Sequence, residues 1–594
     1  MDMQISLGID DFRALREGGF EYVDKTHFIT ELIDRRGIKV ILVPRPRRFG
    51  KSLNISLLRW FFEKNNEDLW HLFEGLHVAR AGEKYRAHFG QYPVVHISFK
   101  ETKALHFDGC VSEAKRLIRD MYVHHAASLE GRLEPWAEAE FRAIVDGSAD
   151  IGLYRRSLKN LTRFLHQVHG KAPIVLIDEY DAGIVAGYTN GFYTEAVDFF
   201  GAFYLAGLKD NPHLERAVMT GILRVSRESI FSELNNVGVY TLLAKEFNTC
   251  FGFTESEVED LVQRAGISHT MDALRGYYNG YDFGGEAIYN PWSILTYLAN
   301  EIKELMPYWI NTSANTLVKE LLRLHAFVVE KDIRTLLERG SIDRELDENI
   351  VFVELKRSSR ALWNILVFTG YLKAVRQPRG PGQTWPVFRL SIPNTEVSYV
   401  YRTTFQSWMD EGMRAQGGAI EKLLDALLAG NVTEFEAQLG AFALYCVSFH
   451  DVDARDPERF YQGLMIGLLA SLEPGYEVRS NRESGEGRPD VMIKPRSPGK
   501  PGVVLELKAA RAKKTLKQAL KEGHDQFRKS DYAAELRAAG VEQVHAMVIA
   551  FDGKQVKVEL AKAPSKKSSV LRKAGQAIRK AAKKVTAKKR ATRK

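Results

Sequence analysis

Apolar residues fall along the chain in two rhythms. Short unbroken runs rich in β-branched side chains occur at 40–43, 94–99, 174–177 and 217–220. Runs of this length without alternation are the pattern of strands buried on both faces. Between them the spacing is helical: over residues 52–64, Leu53, Leu57, Trp60 and Phe61 recur at helical intervals. Strands alternating with helices predict a mostly parallel α/β sheet over residues 1–245, whose sites gather at the C-terminal strand ends. Residues 246–400 read as mixed and mostly helical, with Thr254 and Glu257 forming a capping box that opens one helix. Residues 401–445 read as connecting helices. In 446–560, the strand-like runs 490–494 and 503–508 flank a turn-rich stretch, which predicts a hairpin. Residues 561–594 bury nothing and predict a disordered tail.

The first strand runs into KVILVPRPRRFGKSLNI (residues 39–55). A strand, a turn, then Gly50-Lys51-Ser52 opening a helix is the context of a phosphate loop. The N–H groups at the helix start and the helix dipole would favour an anion there. Lys51 would reach the β- and γ-phosphates, and the Ser52 hydroxyl would hold Mg²⁺. The general motif asks for glycine at 45, where this chain has Arg45, followed by Pro46, Arg47 and Arg48. Downstream, IVLIDEYD (174–181) drives an apolar strand into an acidic pair. Asp178 would join the metal's coordination sphere and Glu179 would be the general base. After Thr220 the chain reads GILRVSRES, and Arg224 and Arg227 are placed to sense a γ-phosphate or to sit in a solvated basic turn.

The hairpin carries the second constellation. Pairing its strands antiparallel puts Asp490 near Glu506. Glu506 and Lys508 are two apart and share a face. Two carboxylates and a lysine would then converge, a set suited to Mg²⁺ or Mn²⁺ through oxygen ligands, with Lys508 positioning the attacking water or the charge. Glu458, Glu483 and Gln526 are weaker candidates. The aromatics Tyr277, Tyr278, Tyr281 and Trp292 read as core or interface rather than as a stacking surface for bases.

Charge changes the picture at one end. The whole chain carries +9, but residues 562–594 hold 14 Lys or Arg and no acid, so the rest is mildly acidic. Such a tail fits sequence-independent DNA binding or a solubilising role. Cys110, Cys250 and Cys446 are far apart, without metal-ligand spacing, and read as buried reduced thiols of a cytoplasmic protein. The N-terminus lacks a signal-peptide pattern, and no apolar stretch approaches the ~18 residues of a membrane span.

The segments FEYVDKTHFI (20–29), RPRRFGKSL (45–53), LIDEYDAGI (176–184) and TGILRVSRESIFSELNNV (220–237) resemble the prokaryotic AAA-ATPase-like family. The resemblance continues through YYNGYDFGGEAIYNPWSIL (277–295), YWINTSAN (308–315) and IPNTEV (392–397). That family's phosphate loop has the R-x-x-RFGKS form, so Arg45 departs from the general motif and not from the family's. ESGEGRPDVMI followed by VVLELK resembles the core of the PD-(D/E)XK nuclease superfamily, with Asp490, Glu506 and Lys508 on the matching positions. The resemblance implies a P-loop NTPase sheet at 1–245, a winged-helix-like or lid-like region at 246–400, and a restriction-endonuclease-like α/β domain at 446–560. It implies ATP and Mg²⁺ as cofactors and nucleic acid, DNA first, as partner, in defence or DNA processing. It leaves open homo-oligomerisation and association with the nucleoid. The other reading is a nucleotide-dependent switch that binds nucleic acid or a protein without cutting.

Overall fold

The computed structural model describes residues 3–225, 236–267, 270–309, 358–378, 385–401, 403, 419–446, 475–480, 489–510, 514–529 and 531–561, with shorter described pieces within 317–357 and 461–472. Two compact units result, Met1–Val400 and Tyr401–Lys594. Arg227, Glu458, Glu483 and the tail lie outside the described residues.

In the first unit, five parallel strands form one sheet. They are β1 (Val40–Pro44), β2 (Val94–Ser98), β3 (Ile174–Asp178), β4 (Arg216–Gly221) and β5 (Val237–Val239), in the order β2-β3-β4-β1-β5. β1 and β3 are buried at every position, as their unbroken apolar runs require. The helix Lys51–Phe62 follows β1 and packs Ile55, Leu57 and Phe61 into a cluster with Ile41, Val43, Leu176 and Val218. On the other side Phe99 meets Phe200, Phe203 and Tyr204 edge-on. The order has one consequence for chemistry. β4 lies between β1 and β3, so Thr220 is level with Val43 on one side and next in line to the Ile177–Met219 pair on the other.

Residues 246–400 add helices and two small antiparallel sheets, β6 (Phe253–Thr254), β7 (Tyr281–Phe283) and β8 (Glu286–Tyr289) in one and β9 (Ile342–Glu345), β10 (Lys373–Arg376) and β11 (Val387–Ser391) in the other. The capping box is present: Thr254 N–H donates to Glu257 Oε2 at 2.7 Å, and Thr254 Oγ1 accepts from Glu257 N–H at 3.4 Å. Glu257 also takes Lys25 Nζ at 2.7 Å, tying the VDKT segment to this helix.

The motif segments of this region form one knot. Gly280 sits at φ +116°, and a Cβ there would come within 2.0 Å of the Pro393 carbonyl oxygen, so only glycine lets the two backbones meet. Asn394 Nδ2 donates to the Tyr278 carbonyl at 3.0 Å. Glu396, fully buried, accepts from Ser293 Oγ at 2.8 Å and from Trp309 N–H at 2.8 Å. Tyr278 and Tyr281 are core residues.

The second unit is built on a mixed sheet of β12 (Tyr476–Ser480), β13 (Val491–Pro495), β14 (Gly502–Ala509), β15 (Val544–Asp552) and β16 (Gln555–Leu560), in sequence order. β14 pairs antiparallel with β13 and parallel with β15. One face is covered by the helices Ile420–Ala429 and Val432–Cys446, whose Leu423, Leu427, Phe435 and Leu439 join Leu505 and Leu507 in a single core. Helices that read as connectors in the sequence are thus part of this unit's core. The other face carries Leu516–Lys529, through Ala519, Leu520 and Phe527 against Val504 and Val548. Among the described residues no helix is long and apolar enough to cross a membrane.

Burial raises the Glu396 pKa to about 7, against the donors that hold its ionised form. The unfolded chain releases this proton near the ordinary value, about 4.5, while the folded chain keeps it to about 7. Stability from this group is therefore full below pH 4.5 and lost as pH rises to 7, by roughly 3 kcal/mol. Glu396→Gln should flatten that window in thermal melts of the first unit at stepped pH. An equally steep fall in the variant would contradict the assignment.

Candidate functional site

The turn between β1 and the helix Lys51–Phe62 is held from below by Arg45. Its side chain is completely buried, and its guanidinium donates to the carbonyls of Pro44 at 2.9 Å, Tyr240 at 2.8 Å and Phe247 at 3.0 Å. The rings of Phe251 and Phe283 flank it at 5.3 and 5.4 Å. Burial pulls its pKa down to about 10, so it stays charged. Arg45 thus shapes the loop by binding main chain. Phe49, also fully buried, wedges against Tyr281 and Phe283 with ring centroids 5.0 and 5.2 Å away, and Trp309 Nε1 donates to the Arg47 carbonyl at 3.2 Å. Gly50, at φ +83°, turns the chain into the helix. Arg48 is a non-glycine residue at φ +66°, and its guanidinium lies over Trp292 at 4.0 Å.

Lys51 and Ser52 stand at the helix start. Lys51 Nζ donates to the carbonyls of Arg45 at 3.1 Å and Pro46 at 3.0 Å, curling over the loop it would share with a phosphate. Burial lowers its pKa, while Glu179, Asp178 and Asp181 raise it. Ser52 Oγ donates to Asp178 Oδ2 at 2.6 Å, and Thr220 Oγ1 donates to Asp178 Oδ1 at 2.6 Å. The start of the helix Lys51–Phe62, the acidic end of β3 and the end of β4 therefore meet at one carboxylate. Ser52 and Asp178 offer a hydroxyl and a carboxylate side by side. This hard oxygen pair suits Mg²⁺, which takes few protein ligands and completes its shell with phosphate and water.

Glu179, at φ +48°, accepts from Lys103 Nζ at 2.9 Å. Burial works to raise its pKa, but Lys51 and Lys103 outweigh it and keep the carboxylate below its ordinary range. Lys103 follows β2, the strand beside β3, so its role becomes visible only with the strand order in hand. The next acid, Asp181, is buried and caps the chain after β4, accepting from Ile222 N–H at 3.0 Å and Leu223 N–H at 2.9 Å. Burial raises its pKa against those donors. Arg224 is partly buried and outside the lining of the cavity described next.

A cavity of about 540 Å³ opens from this cluster. Lys51, Ser52, Lys103 and Glu179 are among its polar lining residues, and Leu7, Ile9, Phe253, Leu261, Trp292 and Leu295 among its apolar ones. Its size falls within the range of small-ligand sites. The apolar lining combines the N-terminal segment with residues beyond 246, a conjunction that no local motif announces.

In the second unit the β13–β14 register pairs Val491 with Leu505, so Asp490 stands across from Glu506. Asp490 Oδ2 accepts from Leu507 N–H at 2.7 Å, and Gln462 Nε2 donates to the Asp490 carbonyl at 2.9 Å. Glu506 is fully buried, and Lys508 Nζ donates to its Oε1 at 2.8 Å. The strand period puts Glu506 and Lys508 with Val504 on the face under Leu516–Lys529. Gln526, on that helix, is exposed. Asp490 and Glu506, opposite one another in the β13–β14 register, offer carboxylate oxygens of the kind that would suit Mg²⁺ or Mn²⁺.

Residues 6–231 match the model of the family described as predicted AAA-ATPase, and residues 456–560 match that of the PD-(D/E)XK nuclease superfamily. Over 512 residues the chain is 28% identical to an uncharacterised protein in the vnfD 5' region of Azotobacter chroococcum mcd 1, covering 82% of this chain and 87% of that relative. The strands β1 to β4 of the parallel sheet lie within the first match, and the whole mixed sheet β12 to β16 lies within the second. The chain thus joins a region that matches the AAA-ATPase-like family to a region that matches the PD-(D/E)XK nuclease superfamily.

Proposed function

We propose that the protein binds and hydrolyses ATP with Mg²⁺ in the first unit and cleaves nucleic acid with Mg²⁺ or Mn²⁺ in the second. The nuclease reading is supported by Asp490 standing across the hairpin from Glu506, which Lys508 contacts. The nucleotide reading rests on Lys51 and Ser52 in the lining of the cavity, with Asp178 bonded to the Ser52 hydroxyl behind them.

In the first unit, the triphosphate would draw Lys51 Nζ off the carbonyls of Arg45 and Pro46 and onto its oxygens. The helix-start N–H groups would hold the phosphates. Glu179, kept ionised, would take the proton of the attacking water. Arg48, stacked on Trp292 and part of the cavity lining, would fix this side of the site. Bound Mg²⁺ would supply charge neutralisation on the phosphates from Ser52 and Asp178.

In the second unit, Asp490 and Glu506 would hold the divalent ion that lowers the pKa of its water and neutralises the scissile phosphate. Asp490 is oriented by the Leu507 N–H before any ligand arrives. Lys508 would leave Glu506 to face the water or the charge that develops on phosphorus. The same Lys508–Glu506 pair also favours a second reading. A fully buried carboxylate bonded to an ammonium is a stable structural arrangement in itself, suited to a nucleotide-driven switch that binds without cutting.

Lys51→Ala should weaken ATP binding at least tenfold, whereas Glu179→Gln should bind ATP as well as the parent and hydrolyse it at least a hundredfold more slowly. Calorimetry and phosphate release would measure the two; unimpaired ATP binding by Lys51→Ala would sink the nucleotide assignment.

Cleavage should be tested on single- and double-stranded DNA and RNA with Mg²⁺ or Mn²⁺, with and without ATP. Asp490→Ala or Glu506→Ala should abolish it, and the double substitution should add little, since the two act as a unit. Lys508→Ala should slow cleavage while metal binding persists. Absence of cleavage under every condition would move the assignment to the switch.

The 14 cations of residues 562–594 should give salt-dependent DNA binding without sequence preference. Removing the tail should weaken affinity and flatten the dependence of log K on log salt. A slope unchanged by truncation would deny the tail a DNA role.

A further inference from the structure

Cys250 has a setting that its isolation in the sequence conceals. It lies in the loop that follows Phe247, against the helix His27–Asp34. His27 and Glu31 are one turn apart on that helix, and a donor atom from each and Cys250 Sγ all lie within 4.8 Å of one another. We propose that His27, Glu31 and Cys250 form a Zn²⁺-class transition-metal site, separate from the two oxygen-donor sites.

Several features make this a shaped set rather than a chance meeting. Glu31 Oε2 is held by Phe247 N–H at 3.3 Å and by Arg35 at 3.5 Å, which leaves Oε1 turned to Cys250 Sγ at 3.7 Å. Phe247 presents that N–H from φ +55°, a conformation costly for a phenylalanine. Thr249 Oγ1 lies 3.2 Å from His27 Nε2 and fixes the imidazole. Zinc bonds of ~2.0–2.3 Å in a tetrahedron set donors about 3.5 Å apart, so small side-chain rotations close the set. One imidazole, one carboxylate and one thiolate select a borderline-soft ion over Mg²⁺ or Ca²⁺. Three protein ligands and one solvent ligand complete four-coordination. Binding exchanges the thiol proton of Cys250 for the metal and releases it to solvent.

The position gives the site reach. Asn54, on the helix that starts with Lys51, donates through Nδ2 to the Cys250 carbonyl at 2.7 Å, and Cys250 also lines the 540 Å³ cavity. A metal here would clamp the helix His27–Asp34 to the loop beneath the phosphate-binding helix.

Co²⁺ is the probe, because thiolate ligation gives it a charge-transfer band that oxygen sites cannot produce. Titrated into full-length, metal-stripped protein, Co²⁺ should raise this band and the visible bands of tetrahedral cobalt to saturation at one equivalent. Zn²⁺ should erase them and excess Mg²⁺ should not. Cys250→Ser should lose the charge-transfer band, His27→Ala and Glu31→Gln should weaken Co²⁺ binding at least tenfold, and Cys110→Ser should change nothing. Circular dichroism would check that each variant is folded, and His27→Ala carries the test should Cys250→Ser fail to fold. A band absent in the parent, or undiminished in folded Cys250→Ser or His27→Ala, overturns the site.

Discussion

Asp178 is almost completely buried, and its carboxylate accepts from Ser52 Oγ, Thr220 Oγ1 and the N–H of Glu179. A buried carboxylate is costly unless its lone pairs are filled, so these donors cannot drift. Each belongs to a different piece of the sheet edge: the helix after β1, the end of β4, and the turn after β3. The demand of one charge thus fixes three strand ends relative to each other. The strand order makes this achievable, since only with β4 between β1 and β3 does the Thr220 hydroxyl reach Asp178 while Ser52 approaches from the far side. Lys51, Glu179 and Lys103 are then positioned by main chain that has little freedom left.

Arg45 solves a related problem in the loop. A glycine at this position would spare volume and let the backbone turn freely. The arginine spans three carbonyls from β1, Tyr240 and Phe247, and its charge stays inside among aromatic rings. The loop's shape is therefore set by a long side chain under it rather than by backbone permissiveness within it. Phe49 adds the second grip from the β7 side.

Much of this was legible in the sequence where the signal is local. The four apolar runs became β1 to β4, the Thr254–Glu257 box capped its helix, and the hairpin placed Asp490 across from Glu506, because strand period and pairing are short-range rules. Local rules say nothing about which distant elements become neighbours. Lys103 beside Glu179, Trp292 under Arg48 and Cys250 beside His27 join residues 76, 244 and 223 positions apart in the chain, and no spacing encodes such encounters. The helices at 420–446 read as connectors for the same reason: their apolar faces were visible, but the sheet that covers them was not.

The grip of Tyr281, Phe283 and Trp309 on the loop before Lys51 bears on how this protein can be dissected. The parallel sheet ends near residue 240, and a boundary there would look natural on a diagram of strands. Cutting at that point would strip Phe49 of its partners, uncover Arg45 and remove the Phe253–Trp292 wall of the cavity. The compact structural unit is the whole stretch Met1–Val400. Recombination that exchanges the sheet alone would pass on the motif and leave behind the scaffold that gives the motif its shape.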